Sequence, residues 1–288
     1  MSTKNSQDDV VLNYYDENKD DRTERHFGGE KFSRIQNSKV LVVGVGAVGN
    51  EVVKNLIMLG VRHLTIVDPD TVSNSNVNRC VFFREKDHNK IKKVDAVRIR
   101  AQKLRPGIRI VSHPCQIQDA PESVWDSDIV ILGVDNDYSR FFVNAWLISN
   151  NRSIPVVNGA MGRDFVECEI LLPGNTACLT CLWQESYFQE IISKEVRSSC
   201  DQYFFEILPK FPAISTFTSI VGGVMSAEVA KILAGDVNRS DLGYLIRLNL
   251  NKYEFTKGNV MRNPKCVEKM CRAGFTYYRD QTRHSESR

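Results

Sequence analysis

No uninterrupted run of eighteen apolar residues occurs in this chain, so a continuous apolar membrane span is not expected. Residues 1–21 mix polar groups with charges of both signs and lack the apolar core of a secretory leader. They are expected to form a flexible tail. A charge excess of one sign is missing too: 38 Lys and Arg stand against 35 Asp and Glu, a net +3, which argues against nucleic acid as the main partner. The one basic stretch, residues 86–105, is interrupted by Val94, Ala96, Val97, Ile99 and Leu104 at helical spacing and reads as a solvated helix face. Internal repeats and a second independent core are absent. A single domain over residues 22–274 is therefore expected, with a second polar tail at 275–288. Without a leader, the eight cysteines favour free thiols and metal ligands in a reducing, cytoplasmic setting over a disulfide framework.

What is present is an alternation of strands and helices. Strands are expected at 39–43, 63–67, 108–112, 128–132 and 155–157. Helices are expected at 47–59, 91–104 and 138–149. Gly60 and Pro106-Gly107 supply stops. This order predicts an α/β fold, Rossmann-like, with a mainly parallel sheet and crossover helices. After Gly162 the pattern changes to an antiparallel C-terminal extension, with strands at 165–172, 243–250 and 253–256. Residues 184–212 are polar and weakly periodic and read as a mobile connection. Residues 213–233 form a long apolar helix in which Gly222-Gly223 allow another backbone to approach closely.

Gly44-x-Gly46-x-x-Gly49 follows the first strand and opens the first long helix, as a phosphate-binding turn requires. Alone the pattern is weak. Asp68 ends the second strand and is placed to accept hydrogen bonds from ribose hydroxyls, with Asp70 close behind it. A dinucleotide-dependent dehydrogenase is the ordinary inference from these features. Against it stand Ser75-Asn76-Val77-Asn78-Arg79, then Lys92, then Asp135-Asn136 at the end of the strand 128–132. An arginine, a lysine, an amide and a carboxylate around strand ends are equipment for a triphosphate and Mg²⁺. The bland alternative makes Arg79 and Lys92 surface charges and Asp135 a helix cap.

Cys178-x-x-Cys181 and Cys266-x-x-x-x-Cys271 form two close pairs on distant segments. One CxxC can be a redox centre or chance. Two such pairs point to one tetrahedral Zn²⁺ site of structural type.

In these motifs and their order, the chain resembles the ubiquitin-like-protein activating enzymes and their MoeB/ThiF relatives, over residues 25 to about 273. The spacing of Asn263-Pro-Lys-Cys266 and Cys271, with Asn78-Arg79-x-x-Phe82-Phe83, looks most like the small homodimeric type that activates the ubiquitin-fold modifier. The resemblance implies that Asp68 binds the adenosine ribose, that Asn76, Arg79 and Lys92 bind and polarise ATP, and that Asp135 holds Mg²⁺. The reaction would be attack of a C-terminal glycine carboxylate on the α-phosphorus. It also implies a homodimer, a ubiquitin-like partner ending in glycine, and a conjugating enzyme that receives the product. Departures are Cys80, where many relatives carry glutamine, and the partial N-terminal motif 25–29; the resemblance implies that Arg22 or Arg25 would reach the partner subunit's ATP. Cys200 falls in the connection where such enzymes carry a thioester-forming cysteine, with Lys194 and Arg197 to favour the thiolate and Asp201 to oppose it. Alternatives are an incidental loop cysteine, a sulfur-carrier adenylyltransferase without a thioester step, and a non-catalytic scaffold subunit.

Overall fold

The computed structural model describes residues 19–183, 186, 212–264 and 266. Cys200 and Cys271, most of the connection 184–212 and nearly all of both expected tails lie outside the described residues.

Two helices precede the first strand: α1 (Asp21–Phe27) and α2 (Gly29–Asn37). Sequence reading had no helix here. The break between them is Gly28, at φ 80°, and α2 is short but amphipathic, burying Phe32 and Ile35. Asp20 is buried beside Arg105 and paired with it.

The chain then alternates β1 (Lys39–Val43), α3 (Ala47–Met58), β2 (His63–Val67), α4 (Lys93–Leu104), β3 (Arg109–His113), β4 (Ile129–Leu132), α5 (Asp137–Ser149) and β5 (Val156–Met161). It closes with β6 (Phe165–Leu171), α6 (Ser215–Ala234), β7 (Tyr244–Asn249) and β8 (Glu254–Asn259). One sheet takes all eight strands in the order β3-β2-β1-β4-β5-β6-β7-β8. The first five are parallel and the last three pair antiparallel. The expected fold class is therefore observed.

Strands β1 and β4 are apolar without alternation because both faces of the sheet are covered there. On one face Val40, Val42, Ile129 and Ile131 pack with α3, α4 and α6; on the other Leu41, Val43, Val130 and Leu132 pack with α5 and Trp125. Helix α6 has the length and the mean hydropathy, 1.4, of a membrane span. A search for unbroken apolar runs passes over it because Thr, Ser and Gly punctuate it. Of that window 56% is buried in the protein, packed on α2, α3, β5 and β6, which is how a core helix meets the same composition. Gly222 takes the close approach within the chain itself: a Cβ there would stand 2.6 Å from the Cβ of Glu51 on α3. Its neighbour Gly223 is exposed.

Candidate nucleotide site and cysteine cluster

The strand order reverses between β1 and β4: β1 connects outward to β2, and β4 lies on its other side. Ligands of open α/β sheets bind outside the carboxyl ends of such strands. Here that crevice is walled by backbone. Gly44 sits at φ 84°, and a Cβ on it would lie 2.8 Å from the Val134 nitrogen. A Cβ on Gly49 would be 2.0 Å from the Gly44 carbonyl oxygen, so the α3 N-terminus can pack onto the turn only through glycine. Gly46 is different. It precedes α3 as its N-cap with no side-chain cap, and a Cβ on it would meet nothing within 4 Å. The first turn of α3 thus faces open space with its N–H groups and dipole available to an anion.

Asp68 is buried and holds this turn together. Its Oδ2 accepts from the Val45 N–H at 2.8 Å and its Oδ1 from the Asp70 N–H at 3.0 Å. Burial raises its pKa; Lys93 and the two N–H groups oppose that without overcoming it. Asn50, fully buried directly after Gly49, is a second clamp. It donates to the Val45 carbonyl at 2.7 Å and accepts from the Phe82 N–H at 2.9 Å, joining the glycine turn to the segment that carries Arg79. Sequence reading missed it. The available signal was an amide directly after the last glycine of the motif, in an apolar helix.

Of the expected phosphate ligands, Asn76 uses its side-chain oxygen to cap its own short helix, accepting from the Ser73 N–H at 3.1 Å and hydroxyl at 3.0 Å. Its NH₂ is not part of that cap. Arg79 folds over its own turn, donating to the Ser75 carbonyl and to Asn78 Oδ1 at 3.1 Å, while its buried Nε has no partner. Cys80, beside it, is buried, and burial pushes its thiol up to about 12.

Lysine is where geometry and expectation part. Lys92 is exposed, the N-cap of α4, and its ammonium donates to the Pro69 carbonyl at 2.6 Å. The next residue, Lys93, is the one turned inward: its side chain is 12% exposed and donates to Asp70 Oδ2 at 2.6 Å. Burial works against its charge, but the carboxylates of Asp68, Asp70 and Asp135 outweigh burial and raise its pKa. Lys93 therefore brings three of the expected acidic residues into one field. Asn136, not Asp135, caps α5, accepting from the Ser139 N–H at 2.8 Å, which spares the exposed Asp135 carboxylate from capping.

At the N-terminus Arg25 is paired with Asp21 at 2.9 Å, and Arg22 has 88% of its side chain exposed.

Three of the four expected metal ligands come together. Cys178 Sγ lies 3.7 Å from the sulfurs of both Cys181 and Cys266. Four thiolates at about 2.3 Å around a tetrahedral Zn²⁺ stand roughly 3.8 Å apart, so the donor set and its spacing fit that ion. Thr180 Oγ1 lies 3.1 Å from Cys178 Sγ and 3.2 Å from Cys266 Sγ, a hydroxyl donor for thiolates. Asn144 of α5 accepts from the Leu179 N–H at 3.0 Å and fixes the CxxC turn on that helix. The thiols of Cys80, Cys115 and Cys168 are all pushed upward, chiefly by burial, so among the described residues outside the cluster no cysteine has the character of a neutral-pH thiolate.

Comparison with known proteins gives one consistent reading. The ThiF family model matches residues 21–269. The sulfur carrier protein adenylyltransferase of Thermus thermophilus is 29% identical over 246 residues, covering 83% of this chain and 84% of that protein. The NEDD8-activating enzyme E1 catalytic subunit of Caenorhabditis elegans is 32% identical over 166 residues, 54% of this chain and 38% of that protein. The chain thus matches well under half the length of that relative. Escherichia coli MccB, solved with ATP, superposes with a TM-score of 0.70 at 21% identity over 88% of this chain and 73% of MccB, a likeness of fold. The chain belongs to the ThiF family.

Proposed function

We propose that this chain is an ATP-dependent adenylyltransferase that activates the C-terminal glycine of a ubiquitin-like or sulfur-carrier protein. The observation that carries the reading is Lys93: a largely buried ammonium paired with Asp70 and in the field of Asp68 and Asp135, at the crevice where an uncapped helix N-terminus opens onto space. Two anions must meet in this reaction, a carboxylate and a triphosphate, and their repulsion has to be screened. The glycine carboxylate attacks the α-phosphorus, the bond from Pα to the bridging oxygen breaks, and pyrophosphate leaves with that oxygen and its electrons.

Asp68 has lone pairs beyond the two N–H groups it accepts, and these suit ribose hydroxyls. Arg79 gains phosphate oxygens for its orphaned Nε by leaving its own turn. Lys93, rather than Lys92, is assigned the inner cationic role. Asp135 would hold Mg²⁺, which would neutralise charge on the leaving pyrophosphate. Zn²⁺ on Cys178, Cys181, Cys266 and Cys271 would be structural, since a closed thiolate site leaves no open position.

A finer reading adds a thioester on Cys200, transfer to a conjugating enzyme, and a homodimer of the type that activates the ubiquitin-fold modifier. Its support is the sequence resemblance and the unsuitability of the other described thiols. The match along 84% of a sulfur carrier protein adenylyltransferase favours a second reading in which the acyl-adenylate is the final product of this chain. ATP–pyrophosphate exchange that depends on a glycine-ended carrier tests the shared claim. No exchange with any ubiquitin-like or sulfur-carrier substrate would overturn it. A reductant-sensitive conjugate, lost in Cys200→Ala, decides between the two readings.

A further inference from the structure

A line of polar side chains, buried from Arg140 to Glu167 and ending at the exposed Arg247, runs from the nucleotide turn across the sheet, and no role assigned above uses it. Arg140, one turn into α5, is buried. Its Nη1 donates to Asn158 Oδ1 at 2.6 Å; its Nη2 donates to the carbonyls of Val134 at 2.7 Å and Gly159 at 3.1 Å. Its Nε lies 3.4 Å from Asp137 Oδ1, an ion pair without a hydrogen bond. The amide of Asn158 donates in turn to Glu169, its direct neighbour across β5 and β6. Glu167, two residues away along β6, adds to the rise of the Glu169 pKa, and it accepts from Nε of the exposed Arg247 at 2.6 Å on the next strand.

Buried charge of this kind is expensive unless every member is partnered, and an apolar core would be the cheaper way to pack α5 on the sheet. The arrangement has a direction. Asn158 cannot turn its amide over, because its oxygen faces a guanidinium and its nitrogen faces a carboxyl group. That fixes Arg140. The guanidinium then grips the Val134 carbonyl, one half of the peptide unit whose other half is the N–H of Asp135. Through Gly159 it also ties that turn to β5. The Val134 nitrogen, in the peptide unit just before, abuts Gly44, so the turn that Arg140 grips also walls the crevice.

We propose that Arg140 is the positioning residue for the Asp135 side of the nucleotide site, and that Asn158 and Glu169 hold it in place. The inference rests on the adenylation reading for what Asp135 does, but not for where Arg140 holds the turn.

Arg140→Lys keeps the charge and loses the fork that serves three acceptors at once. In the ligand-free protein, amide hydrogen exchange over residues 133–138 should speed up by at least about 10-fold while β2 is unchanged. In ATP–pyrophosphate exchange the KM for Mg-ATP should rise by about 10-fold or more, as expected when a ligating group is misplaced by a fraction of an ångström, with the KM for the carrier protein unchanged. Should Arg140→Lys fail to fold, Asn158→Leu must give the same local pattern, since it leaves Arg140 charged but undirected. A lower melting temperature with 133–138 exchange and the ATP KM unchanged would overturn the proposal. So would faster exchange spread evenly over the sheet. If the wild-type chain catalyses no exchange of pyrophosphate, the adenylation reading fails, and amide exchange still decides the role of Arg140.

Discussion

The nucleotide end of the parallel sheet and the cysteine cluster are both built around groups that must not move, yet they are held by opposite means. At the nucleotide end the holding is done by backbone: Gly44, Gly49 and Gly133 press main chain against main chain, and Asp68 and Asn50 clamp the turn from beneath. Its parts come from one stretch, residues 44–93, plus the adjacent strand end. The cluster joins Cys178 and Cys266, 88 positions apart, through side chains alone. The first is fixed by the fold of the sheet before any ligand arrives; the second draws a distant segment back, where Arg262 also donates to the carbonyls of Gly174 and Asn175, and in the proposed reading Zn²⁺ would complete the tie. In the proposed reading, rigidity at the first would serve chemistry, and at the second the fold.

The largest test breaks the backbone side. Gly49→Val forces a side chain into the Gly44 carbonyl, and a cost of roughly 3 kcal/mol or more is expected, read as a fall in the denaturant midpoint. Gly46→Ala is the matched control. Its new methyl has free space and an ordinary φ, so stability should hold while nucleotide binding weakens.

The next test breaks the metal side. Purified protein should carry one equivalent of zinc, and Cys178→Ser should lose it. Loss of about 2–3 kcal/mol would lower the melting temperature by roughly 4–12 °C, on the usual scaling of 2–4 °C per kcal/mol for a chain of this size. Nucleotide affinity measured below that melting temperature should change little, because Asn144 rather than the metal ties the CxxC turn to α5.

Within the nucleotide end, the two lysines sharpen the contrast between buried and exposed charge. Lys93→Ala should cut kcat/KM for pyrophosphate exchange by about 10²–10³, and Lys92→Ala by less than about fivefold. Equal losses would mean that burial is not what matters there.

The smallest effect concerns Glu169, whose carboxyl is raised to about 7, mainly by burial, with Arg140 and Asn158 opposing and Glu167 adding to the rise. The folded state then binds the proton more tightly than the unfolded chain, whose carboxyl titrates near 4.5. Stability should therefore fall as pH rises through this window, from about 4.5 to 7. Glu169→Gln cannot titrate, so its melting temperature relative to wild type should be higher at pH 8 than at pH 5. A difference independent of pH would show that Arg140, Glu167 and Arg247 already balance the charge.

Much of this molecule could be read from its residues. The apolar character of the runs 39–43 and 128–132 marked strands of the sheet, and the glycine spacing after β1 marked a turn that phosphate can approach. The cysteine spacing marked a cysteine cluster, of which three members meet. What escaped reading had no local pattern to show. Lys92 caps α4 and Lys93 begins it, in line with the buried Val97 and Ala101, but the carboxylates that Lys93 meets come from other segments and are not visible in that spacing. Asn50, Arg140 and Asn158 are polar residues inside apolar elements, ordinary as letters and explicable only once their partners from other strands are beside them.

The sequence by itself determined the alternation of strands and helices, the glycine turn, the set of charged residues near it and the cysteine pairs, because each depends on local sterics or on residue chemistry. Tertiary structure alone decided which lysine enters the carboxylate field, which amide clamps the turn, and which buried arginine holds the Val134 carbonyl. Those choices depend on burial and on partners brought from distant segments, and a side chain acquires them only when the sheet has closed around it.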